Sequence, residues 1–166
     1  MSAERRNAFY GWLWMMLLAF AVKFAIDLVP ESGVKHLFMF PSAKAAALYW
    51  SVPLIDSPLS FVARGVTIVV TRACSATDFF SLAFALLAFR MRIRRLWLRI
   101  PAALAIAWCA AVFANATRLV MLVPIDEIFS AAQIPSIHMA IGISVFMPVF
   151  GILWFFSSLR KEVVYE

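Results

Sequence analysis

The sequence predicts an all-α polytopic membrane protein, on three observations. Hydrophobic residues make up 64% of the 166-residue chain and charged residues 14%, against roughly 45–50% and 25% in soluble domains. Mean hydropathy is +0.91. The apolar residues come in blocks of the length that crosses a bilayer core, about 20 helical residues for about 30 Å. About four transmembrane helices are predicted, in a single domain over 1–166. A connector outside the membrane is expected to hold a short helix and a β-hairpin.

The first predicted span is 9–29, preceded by Arg5 and Arg6. Ala19-Phe20-Ala21 resembles a leader-cleavage box, so a signal peptide is the competing reading. Apolar residues continue past the box to Val29, which favours an uncleaved span. Lys23 and Asp27 lie one helical turn apart and can neutralise each other. A structural ion pair is the first reading of them, substrate binding the second.

The connector is 30–72. Pro41-Ser42 starts a helix over 43–50 and Pro53 ends it. Lys44 interrupts this short run, which is read as interfacial or re-entrant. Were it to cross, there would be five spans and an outer N-terminus, against Arg5 and Arg6. Residues 59–63 and 66–70 alternate loosely about Arg64-Gly65, as a hairpin lying over the membrane would.

Three further spans are predicted at 76–89, 98–123 and 136–156. Arg90, Arg92, Arg94, Arg95 and Arg99 put five arginines into ten residues between the second and third. Basic loops stay on the cytoplasmic side, and Arg160 and Lys161 after the last span agree. Cys74, Arg118 and His138 then fall at the opposite, outer ends of the second, third and fourth spans.

The net charge of +6 belongs to these membrane-flanking segments, so no nucleic-acid partner is expected; the partner implied is the lipid bilayer. The two cysteines, Cys74 and Cys109, form no metal pattern. No metal or cofactor is expected. At about 1.5 Å per residue Cys109 lies about 14 Å below Arg118 on one helix, too deep for a disulfide to Cys74.

Cys74 is read at the first turn of a helix, where unpaired N–H groups and the helix dipole favour a thiolate. A lone membrane cysteine is otherwise a small hydrophobe. Arg118 sits in an apolar helix, where an arginine costs roughly 2.5–3.5 kcal/mol at mid-bilayer and so usually faces protein or water. Snorkelling to the outer surface is the alternative. Asn115, one turn earlier, shares its face. Ser136 is read as the N-cap of the last span. The helix N-terminus there keeps His138 neutral and available as a base. Gly142, one turn deeper, would admit another backbone. Asp78 either orients Arg118 or Arg72, or is a plain first-turn acid. Together Cys74, His138 and Arg118 offer a nucleophile, a base and an oxyanion stabiliser, the parts acyl transfer needs.

At these residues the chain resembles the exosortase/archaeosortase family. Ala73-Cys74-Ser75-Ala76 is similar to its Ala-Cys-Ser-Gly block and Asn115-Ala116-Thr117-Arg118 to its Asn-x-x-Arg block. His138-Met139-Ala140-Ile141-Gly142 matches its His with glycine four residues on. Pro41-Ser42-Ala43 resembles an upstream Pro-Thr-Ala element. Ala76 stands where glycine is usual and Arg72 where an acid is frequent. The short chain resembles the compact type called exosortase K. The resemblance implies a cysteine transpeptidase or protease of the cytoplasmic (inner) membrane, with its site facing the extracytoplasmic side. Its partners would be membrane-anchored proteins with a C-terminal sorting signal, and an acceptor nucleophile that the sequence does not identify. Cys74 would form a thioester, Arg118 stabilise the oxyanion and His138 shuttle the proton, with Asn115, Asp78, Arg72 and Gly142 in support. The competing functions are a non-catalytic membrane scaffold and a subunit that binds sorting tails without cutting them.

Overall fold

Left-handed residues at Ser51, Arg64, Gly65 and Ala76 punctuate the stretch between the first long apolar helix and the later ones. The computed structural model describes residues 3–91, 96–126 and 134–159, with side chains over 9–91, 97–125 and 137–157. Helix α1 is Ala3–Asp27 and stops short of Pro30. It runs unbroken through Ala19-Phe20-Ala21. Ala19 and Met15 are buried with Ala85 and Leu86, so the first alanine of the cleavage-like box is a packing contact, while Phe20 and Ala21 face outward.

The connector departs from expectation. Helical backbone begins at Glu31, ten residues ahead of Pro41: α2 is Glu31–Val34, a π-helical turn covers Lys35–Met39, and α3 is Phe40–Tyr49. Pro41 therefore lies inside a continuous helical stretch. Having no N–H, it leaves the Leu37 carbonyl without the partner an α-helix supplies. The Trp108 indole N–H donates to that carbonyl at 2.7 Å, and the Ser42 hydroxyl donates to the Phe38 carbonyl at 2.8 Å. Tertiary contacts thus carry a break that sequence reading takes for a start.

Three strands follow, β1 Leu54–Asp56, β2 Leu59–Ala63 and β3 Val66–Val69, paired antiparallel in that order. The hairpin expected about Arg64-Gly65 is present; both residues have positive φ, the two-residue turn that matches strand twist. Strand β1 was not expected, being three residues long. Four of the five β2 residues are buried, which is why its alternation is weak. Lys35 ties the sheet to the π turn: Nζ meets Asp56 Oδ1 at 2.8 Å and the Asp56 carbonyl at 2.7 Å. That hydrogen bond and charge hold the Asp56 carboxyl below its usual range. The link is therefore in place above the ordinary carboxylate range and is lost as acid protonates Asp56.

Helix α4 is Thr77–Arg90, α5 Leu96–Asp126 and α6 Ile134–Leu159. Helix α4 is the centre, with ten of its residues buried. Ala103, Ala107, Ala111 and Ala114 recur every three or four residues along α5 and are all buried, a face narrow enough for neighbouring helices to approach closely. They share one core with Ala43, Ala46 and Ala47 of α3 and with Ala83, Phe84 and Leu87 of α4. Trp12 of α1 stacks on Trp154 of α6 at 5.3 Å. The outer faces of α1 and α6 stay apolar and exposed, with Trp14, Phe20, Phe24, Met139, Met147 and Phe156 each more than 60% accessible.

Four helices are long and apolar enough to cross a membrane: Phe9–Asp27, Arg72–Arg90, Trp97–Ile125 and Ile137–Ser157. The 43–50 segment is not among them, so the five-span alternative has no fifth candidate among the described residues. Helix α6 begins two residues before Ser136, which lies inside the first turn rather than at the cap. The heart of the arginine cluster, 92–95, lies outside the described residues, as do Arg160 and Lys161.

Candidate functional site

The site is built where β3 hands over to α4. Val70 N–H closes the sheet on the Leu59 carbonyl at 2.8 Å. Thr71 is extended, and Arg72–Cys74 form a 3-10 turn. Cys74 is thus two residues ahead of the α4 cap, Ala76, and not in the helix's first turn as expected. The chain needs a sharp reversal to enter α4, and Ala76 makes it with φ +55° and ψ +23°. An L residue there costs roughly 1–2 kcal/mol. Glycine would remove that cost, less about 0.4–1 kcal/mol of extra unfolded-chain entropy. Ala76→Gly is expected to raise the thermal midpoint by about 2 °C without loss of site geometry. A lower midpoint would show that the methyl group, buried at 8% exposure, contributes more by packing than it costs in strain.

The turn brings Cys74 Sγ within 3.7 Å of His138 Nε2, from residues 64 positions apart. The Thr71 hydroxyl donates to the same sulfur at 3.7 Å. Sequence reading passed over Thr71; its only signal was a hydroxyl three residues before the cysteine, the reach of one tight turn. Asn115 is fully buried, and its Nδ2 donates to the Cys74 carbonyl at 2.6 Å. The Asn–Arg face of α5 is therefore used, but Asn115 grips the cysteine's backbone. Its Oδ1 is buried with no partner among the described residues.

Arg118 lies one turn further along α5 and is 9% exposed. Its Nε is buried without a hydrogen-bond partner among the described residues, and no carboxylate pairs with it there. Its guanidinium lies 5.9 Å from the centre of the Phe146 ring. It also crosses Gly142, where an added Cβ would meet Arg118 Nε at 3.6 Å. Gly142 thus faces a side chain, not a second backbone, at a distance an alanine would tolerate. Buried placement removes snorkelling as the account of Arg118. A buried guanidinium without a counter-charge is costly, and an anionic or strongly accepting group beside it relieves the cost.

Arg118 faces a cavity of about 570 Å³. Lys23, Arg72 and Asp78 line its polar part, and Phe79, Leu82 and Phe146 its apolar part. Ala73, Ser75 and Ala76 belong to the wall; Cys74, 7% exposed, does not. Asp78 orients neither arginine. Its Oδ1 pairs with Lys23 Nζ at 3.1 Å, and Lys23 also meets Asp27 Oδ1 at 2.6 Å, the pair expected within α1. The entry of Lys23 into the cavity wall was not legible from its spacing alone. Arg72 Nη2 donates to the Asp27 carbonyl at 3.1 Å and lies 3.5 Å from those of Ile26 and Val29. Both cysteines are free thiols, and Cys109 is exposed on the bundle surface. No group of His, Cys, Asp and Glu suited to a metal occurs among the described residues. Comparison with family models, curated proteins and solved structures returns no match.

Proposed function

We propose that this chain is a membrane-embedded cysteine transpeptidase or peptidase, similar to exosortases, acting on the C-terminal sorting tails of exported proteins. Its four long helices cross the cytoplasmic membrane, with the cysteine end on the extracytoplasmic side. The observation that carries the proposal is the 3.7 Å approach of Cys74 Sγ to His138 Nε2, next to a buried arginine that has no anionic partner among the described residues.

The chemistry follows from those atoms. His138 Nε2 takes the thiol proton, and the thiolate attacks the scissile carbonyl carbon. A C–S bond forms, and the carbonyl oxygen becomes an oxyanion that Arg118 stabilises. Collapse breaks the C–N bond, and His138 returns the proton to the leaving amine. The thioester left on Cys74 is then attacked by an acceptor amine, hydroxyl or water, whose proton passes through His138 to restore the thiol. Thr71 and Asn115 hold the sulfur and its backbone while the substrate changes.

The membrane setting is supported by the large apolar residues exposed along α1 and α6, the kind of surface that meets lipid or a partner. One measurement tests it. Cys109 is exposed on α5, yet in intact membranes it is expected to resist a charged, water-borne thiol reagent that labels it readily after solubilisation in denaturant. Rapid labelling in intact membranes would mean that this face meets water.

A second reading, tail binding without cleavage, rests on the burial of Cys74 and its absence from the cavity wall. The discriminating experiment is mass spectrometry of tail-bearing proteins from cells carrying wild-type or Cys74→Ser chain: loss of cleaved product supports the enzyme, and unchanged product supports a scaffold or binding subunit.

A further inference from the structure

Residues 72–75 receive only local backbone hydrogen bonds. Cys74 N–H bonds to the Thr71 carbonyl at 2.8 Å and Ser75 N–H to the Arg72 carbonyl at 3.0 Å. The turn that carries the sulfur is therefore positioned by side chains. Asn115 supplies one hold from α5. The others come from the two charged residues that flank the cysteine, and both reach the same place. Arg72 donates to the Asp27 carbonyl at the C-terminal end of α1 and lies 3.8 Å from the Asp27 carboxylate, where the helix dipole carries its negative end. Asp78 pairs with Lys23, one turn back on α1, and Lys23 also pairs with Asp27.

We infer that Arg72 and Asp78 are positioning residues that brace the cysteine turn, from both sides, on the last turns of α1, and so hold Cys74 against His138. The inference rests on the cysteine chemistry proposed above. The brace is not a stability device. The Asp78 side chain is 81% exposed and that of Lys23 31%, and ion pairs open to water contribute little to folding. What it supplies is location: seven residues of chain, fixed at both ends to one helix, have little room to carry the sulfur away from the imidazole. It also gives α1 a part in the site although α1 bears no reacting group.

The test reads the thiol directly. In a Cys109→Ser background, Cys74 is the only thiol, and its alkylation by iodoacetamide is followed at pH 7. The charged and titratable groups around it are His138 and Arg118 from α6 and α5, Lys23 and Asp27 from α1, and Arg72 and Asp78 beside it. In the wild type the rate is expected to be about tenfold above that of a His138→Gln variant, because His138 takes the proton.

Asp78→Asn decides between geometry and charge. Removing a nearby negative charge favours a thiolate, so electrostatics alone predicts faster alkylation at pH 7. Loss of the brace predicts slower alkylation, by about tenfold, down to the rate of the His138→Gln variant. Lys23→Met should give the same loss, and the double variant no more than either single one, since both break one link. Arg72→Ala should act likewise, with partial recovery in Arg72→Lys. All these changes should come with little change in thermal midpoint. Faster alkylation in Asp78→Asn, or an unchanged rate in Arg72→Ala, would overturn the brace while leaving the cysteine chemistry intact. Equal rates in the wild-type and His138→Gln chains would overturn the cysteine chemistry, and the brace with it.

Discussion

Cys74→Ser is expected to abolish tail processing while the variant accumulates in membranes at the wild-type level. The substitution keeps shape nearly constant, and the surroundings of the side chain accept it. The Thr71 hydroxyl and His138 Nε2, each 3.7 Å from the sulfur, can both hydrogen-bond a serine oxygen. Asn115 holds the Cys74 carbonyl at 2.6 Å whatever the side chain is. The fold thus loses little, but the chemistry loses its nucleophile. A thiol gives up its proton to a nearby imidazole far more readily than an alcohol. Loss of an activated nucleophile in hydrolytic enzymes costs on the order of 10⁶-fold in turnover, so processed product should fall below detection. The measurement is the ratio of cleaved to intact tail at matched membrane levels. Processing close to wild type by the serine variant would remove the thiol from the mechanism and leave a chain that only binds or assembles.

Much of the architecture is legible in the sequence because apolar run length is a direct physical signal. The four long helices, the Arg64-Gly65 hairpin and the Lys23–Asp27 pair all follow from local composition or spacing. The failures are places where distant residues decide. Pro41 reads as a helix start because its missing N–H leaves the Leu37 carbonyl bare; that Trp108, 71 residues away, fills the gap is not written near Pro41. Ser136 reads as a cap, yet the helix starts two residues earlier. Cys74 reads as a first-turn residue because nothing in Ala-Cys-Ser-Ala announces that Ala76 turns left-handed and pushes the helix start beyond it.

The constellation divides the same way. Its residue types and the end of the bundle where they meet come from chain order and helix direction. Which atom touches which comes only from packing. Asn115 was expected to share a binding face with Arg118 and instead fixes the cysteine backbone. Asp78, read either as orienting an arginine or as a plain first-turn acid, sits in the first turn of α4 and meets a lysine of α1. Gly142 was expected beneath a neighbouring backbone and instead lies under the Arg118 guanidinium. Each correction replaces a plausible local role with a contact between helices that sequence distance conceals.

Arg118→Lys is expected to insert and fold normally and to lose most tail processing. A residue that only snorkels accepts this exchange, since both side chains reach an interface with one positive charge. Arg118 does not snorkel: it is 9% exposed, crosses Gly142 and lies over the Phe146 ring. What the site offers a developing oxyanion is therefore a planar fork of N–H donors held in one orientation. Lysine offers a compact charge on a flexible stem, and in a site shaped for the fork its ammonium meets the oxyanion with poorer geometry. Removing one positioned donor to an oxyanion costs about 10²–10³-fold in rate, and a loss in that range is expected in kcat with KM for the tail little changed. Asn115→Ala should lose less, because it shifts the cysteine backbone without touching the oxyanion. It should also cost stability, roughly 1–3 kcal/mol for the Cys74 carbonyl left unpaired in a buried position. Processing rates and thermal midpoints of the two variants, compared at equal membrane levels, separate the roles. Near-normal turnover in Arg118→Lys would mean that positive charge alone serves the site. Equal losses of turnover and stability in both variants would mean that Arg118 acts through packing, as a buried strut between α5 and α6.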